Sequence, residues 1–354
     1  MPKSKFLKIP KKQGETMLRL AKKLGLVDRT EKIQRDKTHL YVPLSNKPPR
    51  KKLESLQQQT CSFEIVTRSL LEKKKQPSLA QLLENKLPKH LLSTLPHVAD
   101  FVGDIGIVEI PSKLERYKNV IGEAILQTNK NLQTVLAKAG AVSGPYRLRE
   151  FTAIGGVPKT ETVHSEYGCR FHVDVARAYF SPRLSHEHDR IASLVQEGES
   201  VVDLFAGVGP FAVMIAKRRQ TARVYAVDIN PEAIALLKKN IRLNRVYGRV
   251  HPILGDARQV VSSRLADVAD RVIMNLPETA IEFVDAGCRA LKPEGGILHF
   301  YSFTTASHSL ENIKNVFVEA VEKNGRKVDQ FLYCRSVRET APHEHQVVLD
   351  ARIL

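Results

Sequence analysis

From residue 200 onward, short apolar runs alternate with longer stretches of helical periodicity, and no other feature of the chain restricts its fold as much. Residues 200–205 read as a buried strand and 209–219 as a helix; 223–228 read as a second strand, followed by a helix over 231–243. Further strands are expected at 250–254, 271–274 and 297–303, with helices near 279–291 and 308–323. Strands that are apolar along their whole length need cover on both faces, and strand–helix–strand units build parallel sheets. The expected fold class is therefore α/β, a doubly wound parallel sheet closed by an antiparallel pair at 331–335 and 346–353. No internal repeat is present.

Charge bounds the partner. Fifty-five Lys and Arg stand against 38 Asp and Glu, a net charge of +17 with a pI near 9.7, which favours a polyanion. The excess is uneven: residues 1–60 hold sixteen basic and five acidic residues, a net of +11. That segment still carries folding signals. Phe6, Leu7 and Ile9 form an apolar stretch, Met17, Leu20 and Leu24 recur at helical spacing before Gly25, and 38–44 reads as a strand. We expect a basic N-terminal module at 1–60 and a linker with helical pieces at 61–90, where Lys, Gln and Ser abound after Pro48-Pro49. An α+β middle domain follows at 91–180, with strands at 105–110 and 134–137, a helix at 117–127 and a hairpin from 160–164 and 170–175. The α/β domain occupies 181–354. No apolar stretch is long enough to span a membrane; the best candidate, 201–216, contains Asp203, two glycines and Pro210. The N-terminus has no secretory pattern, and the isolated cysteines 61, 169, 288 and 334 suggest neither zinc nor disulfides, so a cytoplasmic protein without a metal is expected.

The first strand of the α/β domain ends in Asp203-Leu204-Phe205-Ala206-Gly207-Val208-Gly209-Pro210. Glycines at i and i+2 permit a sharp turn and close approach of a ligand before a helix N-terminus. The second strand ends in Asp228, 19 residues after Gly209, where a carboxylate can accept both hydrogens of a ribose diol. Nicotinamide dinucleotides and S-adenosylmethionine share this much. The third strand leads into Gly255-Asp256, a carboxylate suited to an adenine amino group, and the fourth into Asn275-Leu276-Pro277, an amide on a stiffened turn suited to a planar base. No pyrophosphate-binding triple glycine is present, so S-adenosyl-L-methionine is the expected cofactor.

These motifs, with Gly103-Asp104-Ile105-Gly106, Gly144-Pro145-Tyr146-Arg147-Leu148-Arg149, His164-x-Glu166-x-Gly168 and Tyr179-Phe180-Ser181-Pro182-Arg183-Leu184, give the chain an end-to-end resemblance to archaeal-type tRNA (guanine-N1)-methyltransferases acting at position 37. Thr340 departs from a Tyr often found before Ala-Pro in that family. The resemblance implies a Rossmann-like class I methyltransferase domain and tRNA as partner, with no protein partner and a monomer expected. It implies methyl transfer to N1 of guanosine 37, with Glu187 as general base, Arg147 stabilising charge at O6, and Asn275 orienting the guanine edge. It further implies cofactor contacts from Tyr179, Phe205, Gly207, Gly209, Asp228, Ile229, Asp256, Asn275 and Pro277, and substrate contacts from Arg147, Arg149, Arg183 and Asn275. His186 and His188 flank Glu187 without a matching family role. The N-terminal module would check tRNA shape. A methyl transfer to a wyosine intermediate at the same position, and a non-catalytic tRNA-binding protein of this fold, are the alternatives.

Overall fold

Phe6, Leu7 and Ile9 are fully buried in the first strand, β1 (Lys3–Pro10), which organises the N-terminal unit. The structure is a computed structural model that describes residues 3–28, 30–45, 48–59, 63–69, 77–140, 142–304, 309–341 and 344–354. Cys61 and Pro342 lie outside the described residues, as does part of the expected linker. β1 is followed by α1 (Gly14–Lys23), β2 (Gln34–Arg35), β3 (His39–Pro43), α2 (Arg50–Gln59) and β4 (Glu64–Ser69). The sheet order is β2-β3-β1-β4, and Leu7, Ile9, Met17, Ala21, Leu26, Val42, Leu44 and Leu56 close its core. The module thus runs past residue 60: β4 pairs antiparallel with β1, Phe6 opposite Val66. Chain contacts divide the protein at Pro77/Ser78.

The second unit begins with α3 (Leu79–Leu83), whose N-cap Ser78 and Gln81 form a capping box. Next come β5 (Val98–Val102), β6 (Ile105–Val108), α4 (Lys118–Thr128), β7 (Thr134–Lys138) and β8 (Phe151–Gly156), a sheet of order β5-β6-β7-β8. β6 and β7 are parallel with α4 as their crossover. The expected hairpin is present as β9 (Glu161–Glu166) and β10 (Cys169–Asp174).

Then follow α5 (Ser185–Leu194), β11 (Ser200–Asp203), α6 (Pro210–Arg218), β12 (Arg223–Asp228), α7 (Pro231–Asn244), β13 (Val250–Leu254) and α8 (Ala257–Val260). β14 (Arg271–Met274), α9 (Val284–Ala290), β15 (Gly296–Thr304), α10 (Leu310–Lys323), β16 (Val328–Ala341) and β17 (Glu344–Ile353) complete the chain. The seven strands lie in the order β13-β12-β11-β14-β15-β17-β16, all running in one direction except β17, which is antiparallel to both its neighbours, β15 and β16. Successive strand side chains point to opposite faces. Val201, Ile273, Tyr301 and Val348 therefore pack with α6 and α7 on one face, while Val202, Val272, Phe300 and Val347 pack with α9 and α10 on the other. Both faces are covered, which is why these strands read as continuous apolar runs. The first of these clusters also takes in Phe171 and Val173 of β10 and Ile105 of β6, so the middle region shares a core with the α/β domain.

Candidate active site

The winding direction reverses between β11 and β14, and in open α/β sheets that reversal leaves a crevice at the carboxyl ends of the strands. A cavity of about 390 Å³ occupies this place. It is lined by Leu204, Phe205 and Gly207 after β11, Asp228, Ile229 and Asn230 after β12, Gly255, Asp256 and Ala257 after β13, and Asn275, Leu276 and Pro277 after β14. Tyr146, Arg147, Tyr179 and Leu184 line it from the middle region and the start of the α/β domain. Of the expected cofactor residues, Gly209 does not line it. Gly209 caps α6 in the left-handed conformation, φ 86°, and a Cβ there would lie 2.2 Å from Leu237 Cδ1. Its role is to let α6 and α7 meet, whereas Gly207, φ 56°, meets the cavity.

Asp228 Oδ2 accepts from the Gly207 N–H at 2.6 Å and Oδ1 from the Asn230 N–H at 2.8 Å. Burial pushes this carboxyl above its ordinary proton affinity, and the two amides only partly offset it. No cation pairs with Asp228 among the described residues. A carboxylate held this way, with lone pairs left over, fits a ligand that brings two hydroxyl donors, as a ribose does. Phe205 packs edge-on to Phe283, 5.1 Å between centroids, and both form an apolar wall suited to a purine. Asp256 also lines the cavity, and its Oδ1 caps α8 by accepting from the N–H groups of Arg258 and Gln259. A nucleoside with a hydrophobic base and a free diol fits this residue set.

A basic cluster adjoins this cavity. Arg147, Arg149, Arg183, Lys138 and Arg338 line a second cavity of about 260 Å³, which shares Arg147, Tyr179 and Phe303 with the first. Arg147 adopts φ 55°, and its guanidinium donates both terminal nitrogens to Glu278, Nη2 to Oε1 at 2.7 Å. That pairing raises the proton affinity of Arg147 and lowers that of Glu278. Arg183 bonds Asp100, Nε to Oδ1 at 2.6 Å, and Arg149 Nη1 donates to Gly140 O at 2.9 Å. Asn275 Oδ1 accepts from Gln346 Nε2 at 3.1 Å.

Glu187 lies elsewhere. It is buried on α5, one turn after the cavity-lining Leu184, and does not itself line the cavity. Both oxygens accept from Arg190 Nε at 3.0 Å, and Oε2 also accepts from Tyr301 OH at 2.9 Å. Arg190 continues to Asp350 at 2.5 Å, and Asp350 to His299 at 2.7 Å. Glu187 thus ends a buried polar chain that runs along β15 and β17.

Sequence reasoning missed Glu278, Phe283, Gln346 and Arg338. Glu278 directly follows Asn275-Leu276-Pro277 and could have been found there; the others sit on elements with no local signature.

Three family models match the chain: the TRM5/TYW2 methyltransferase domain over residues 162–329, the TYW2 N-terminal domain over 79–160 and the tRNA methyltransferase 5 N-terminal domain over 7–52. The chain is 39% identical over 351 residues to the tRNA (guanine(37)-N(1))-methyltransferase Trm5b of Pyrococcus abyssi, covering 98% of each. The tRNA 4-demethylwyosine(37)-methyltransferase Taw21 of Saccharolobus solfataricus is 32% identical over 255 residues, 72% of this chain and 92% of that one. Among solved structures, Pyrococcus abyssi Trm5b superposes with a TM-score of 0.71 at 36% identity, and aTrm5 in complex with tRNALeu with 0.68 at 35%, each covering 99% of both chains. Methanocaldococcus jannaschii Trm5 in complex with adenosine gives 0.62 at 33% identity, again over 99% of both. With its motifs, its fold and nearly its whole length matched in this way, the chain belongs to the TRM5/TYW2 methyltransferase family.

Proposed function

We propose that the protein transfers a methyl group from S-adenosyl-L-methionine to N1 of guanosine 37 in tRNA, acting in the cytoplasm. The observation that carries this reading is the match with Trm5b over 98% of the chain, the basic N-terminal module included. Phe205, Gly207, Asp228, Ile229 and Asp256 would hold the nucleoside half of the cofactor, and Tyr179, Asn275 and Pro277 its reactive end. When bound, the cofactor supplies an electrophilic methyl carbon on a sulfonium centre.

The chain's own residues must prepare the nucleophile. Guanine N1 carries a proton and attacks only once that proton leaves, so a base is needed within hydrogen-bond reach, together with a donor for the charge that builds on O6. Arg147 and Asn275, both lining the cavity, are the donors in this reading. Glu187 is the base, and reaching N1 requires its carboxylate to exchange the bonds to Arg190 and Tyr301. Arg149 and Arg183 would guide the phosphates. A guanosine presented to this cavity must leave its stack in the anticodon loop, and the contacts at its edge replace what it gives up.

The match of residues 79–160 to the TYW2 N-terminal domain favours a second reading, a wyosine intermediate as methyl acceptor. Incubation with unmodified tRNA and methyl-labelled cofactor, followed by nucleoside analysis, separates the two. Label in 1-methylguanosine is the expected result; label only with tRNA already carrying a wyosine precursor would overturn it.

A further inference from the structure

Hydrogen-bond direction around Asn275 is fixed by a residue two steps away. A guanidinium can only donate. Arg338 Nε on β16 donates to Gln346 Oε1 on β17 at 2.8 Å, and Arg338 Nη1 donates to Ser181 Oγ at 3.0 Å, which anchors the arginine. Gln346 is 1% exposed, so its amide has no solvent to turn towards. With Oε1 committed to Arg338, Nε2 is the atom that faces Asn275, and it donates to Asn275 Oδ1 at 3.1 Å. Asn275 is then fixed in turn. Its Oδ1 points into the protein, and its Nδ2 has no protein partner among the described residues. Nδ2 is also absent from the buried unpaired atoms, Glu166 Oε1, Asp203 Oδ2 and Arg219 Nε. Since Asn275 lines the cavity, Nδ2 is the group it offers there.

We propose that Arg338 and Gln346 are positioning residues that set the base selectivity of the site: they hold the Asn275 amide with its donor towards the substrate, so that the site takes a purine with a carbonyl at position 6 and rejects one with an amino group there. This rests on the functional reading above. Guanine O6 accepts from Nδ2, whereas adenine would set its own 6-amino donor against it. A site that leaves a polar group facing the wrong partner discriminates far more strongly than one that only tests shape. Nothing local to Asn275-Leu276-Pro277 decides the direction of the amide; two strands at the far edge of the sheet do.

The test is a double-mutant cycle read by single-turnover methyl transfer to a G37 transcript at saturating tRNA. Gln346→Glu keeps the bond to Arg338 but cannot donate to Asn275, so the amide loses its orientation. Transfer should fall about tenfold to a hundredfold, the cost of one mispaired buried hydrogen bond. In an Asn275→Ala background the same substitution should change the rate less than about twofold: Gln346 also lines the cavity, but its amide is spent on Arg338 and Asn275, so it acts on the base through Asn275. The wild type should leave a transcript with A37 in place of G37 unmethylated. Should Gln346→Glu melt well below the wild type, Gln346→Met, of equal length and without a donor, takes its place in the cycle. An undiminished rate on G37, an effect that persists in full without the Asn275 amide, or methylation of A37 as fast as G37 overturns the proposal. A wild type inactive on G37 would instead sink the functional reading itself.

Discussion

Asp203 is a carboxyl with no exposed surface, one orphaned oxygen and a second carboxylate, Asp228, nearby. Burial first, then Asp228, pushes its proton affinity up to a pKa of about 7 from an ordinary 3.8. Between those two values the unfolded chain releases this proton while the folded chain keeps it, so Asp203 lowers stability as pH rises through that window. Asp203→Asn should therefore be more stable than wild type at pH 8, by on the order of 1–4 kcal/mol, and no more stable at pH 4. Denaturant titrations at the two pH values check this; an equal difference at both would contradict it. Asp228→Ala should weaken binding of S-adenosylhomocysteine at least tenfold, since hydrogen bonds to a charged group contribute about 1.5–3 kcal/mol each. Unchanged affinity in calorimetry would remove Asp228 from the site. For Glu187→Gln the expected outcome is a single-turnover rate about 10²–10⁴-fold lower, with tRNA and cofactor affinities little changed. Because Glu187 also accepts from Tyr301, Tyr301→Phe is its control: if both variants lose the same rate, the carboxylate acts through the buried polar chain and not as the base.

At the scale of elements, the joint between the hairpin and the α/β domain is made by two asparagines one helical turn apart. Asn240 Oδ1 accepts from the His172 N–H at 2.6 Å, and its Nδ2 donates to His172 O at 3.1 Å and Val208 O at 2.9 Å. Asn244 does the same for Arg170, at 2.9 and 2.6 Å. The two amides serve the free edge of β10 as a neighbouring strand would. Asn240→Ala leaves three backbone groups unpaired and should cost about 2–4 kcal/mol, seen as a shift of the denaturation midpoint; a shift under a quarter of that would contradict the role. None of this joint was legible beforehand, because the partners lie 68 and 74 residues apart. The parallel sheet was legible, since burial on both faces writes itself into each strand as an apolar run. β8 was not, because Gly155 and Gly156 carry no side chain that would signal a strand. They mark a close approach instead, for a Cβ on Gly155 would lie 2.6 Å from the carbonyl carbon of Gly122 in α4. β4 was taken into the linker because an edge strand pairs through its backbone and needs no apolar alternation; its side chains are largely exposed.

For the molecule as a whole, the described residues that line the cavity all follow Ser78, while a net charge of +11 lies within residues 1–60. Removing residues 1–77 should leave cofactor affinity unchanged, weaken binding of full-length tRNA and flatten its salt dependence, because phosphate contacts set that slope. Loss of cofactor binding on truncation would mean that the first unit supports the site. The site was legible where chemistry follows a strand end, at Gly207, Asp228, Asp256 and Asn275. It was not legible where the partner comes from a distant strand, as Gln346 and Arg338 do. Methyl transfer to N1 of guanosine 37 is the claim on which the rest depends. Wild-type enzyme should be incubated with an unmodified tRNA transcript and labelled cofactor, and the digested RNA mapped by mass spectrometry. A single added methyl, on the base-pairing edge of the guanosine at position 37, is the predicted result; a methyl at any other nucleotide, or none with a transcript that binds, would contradict the account.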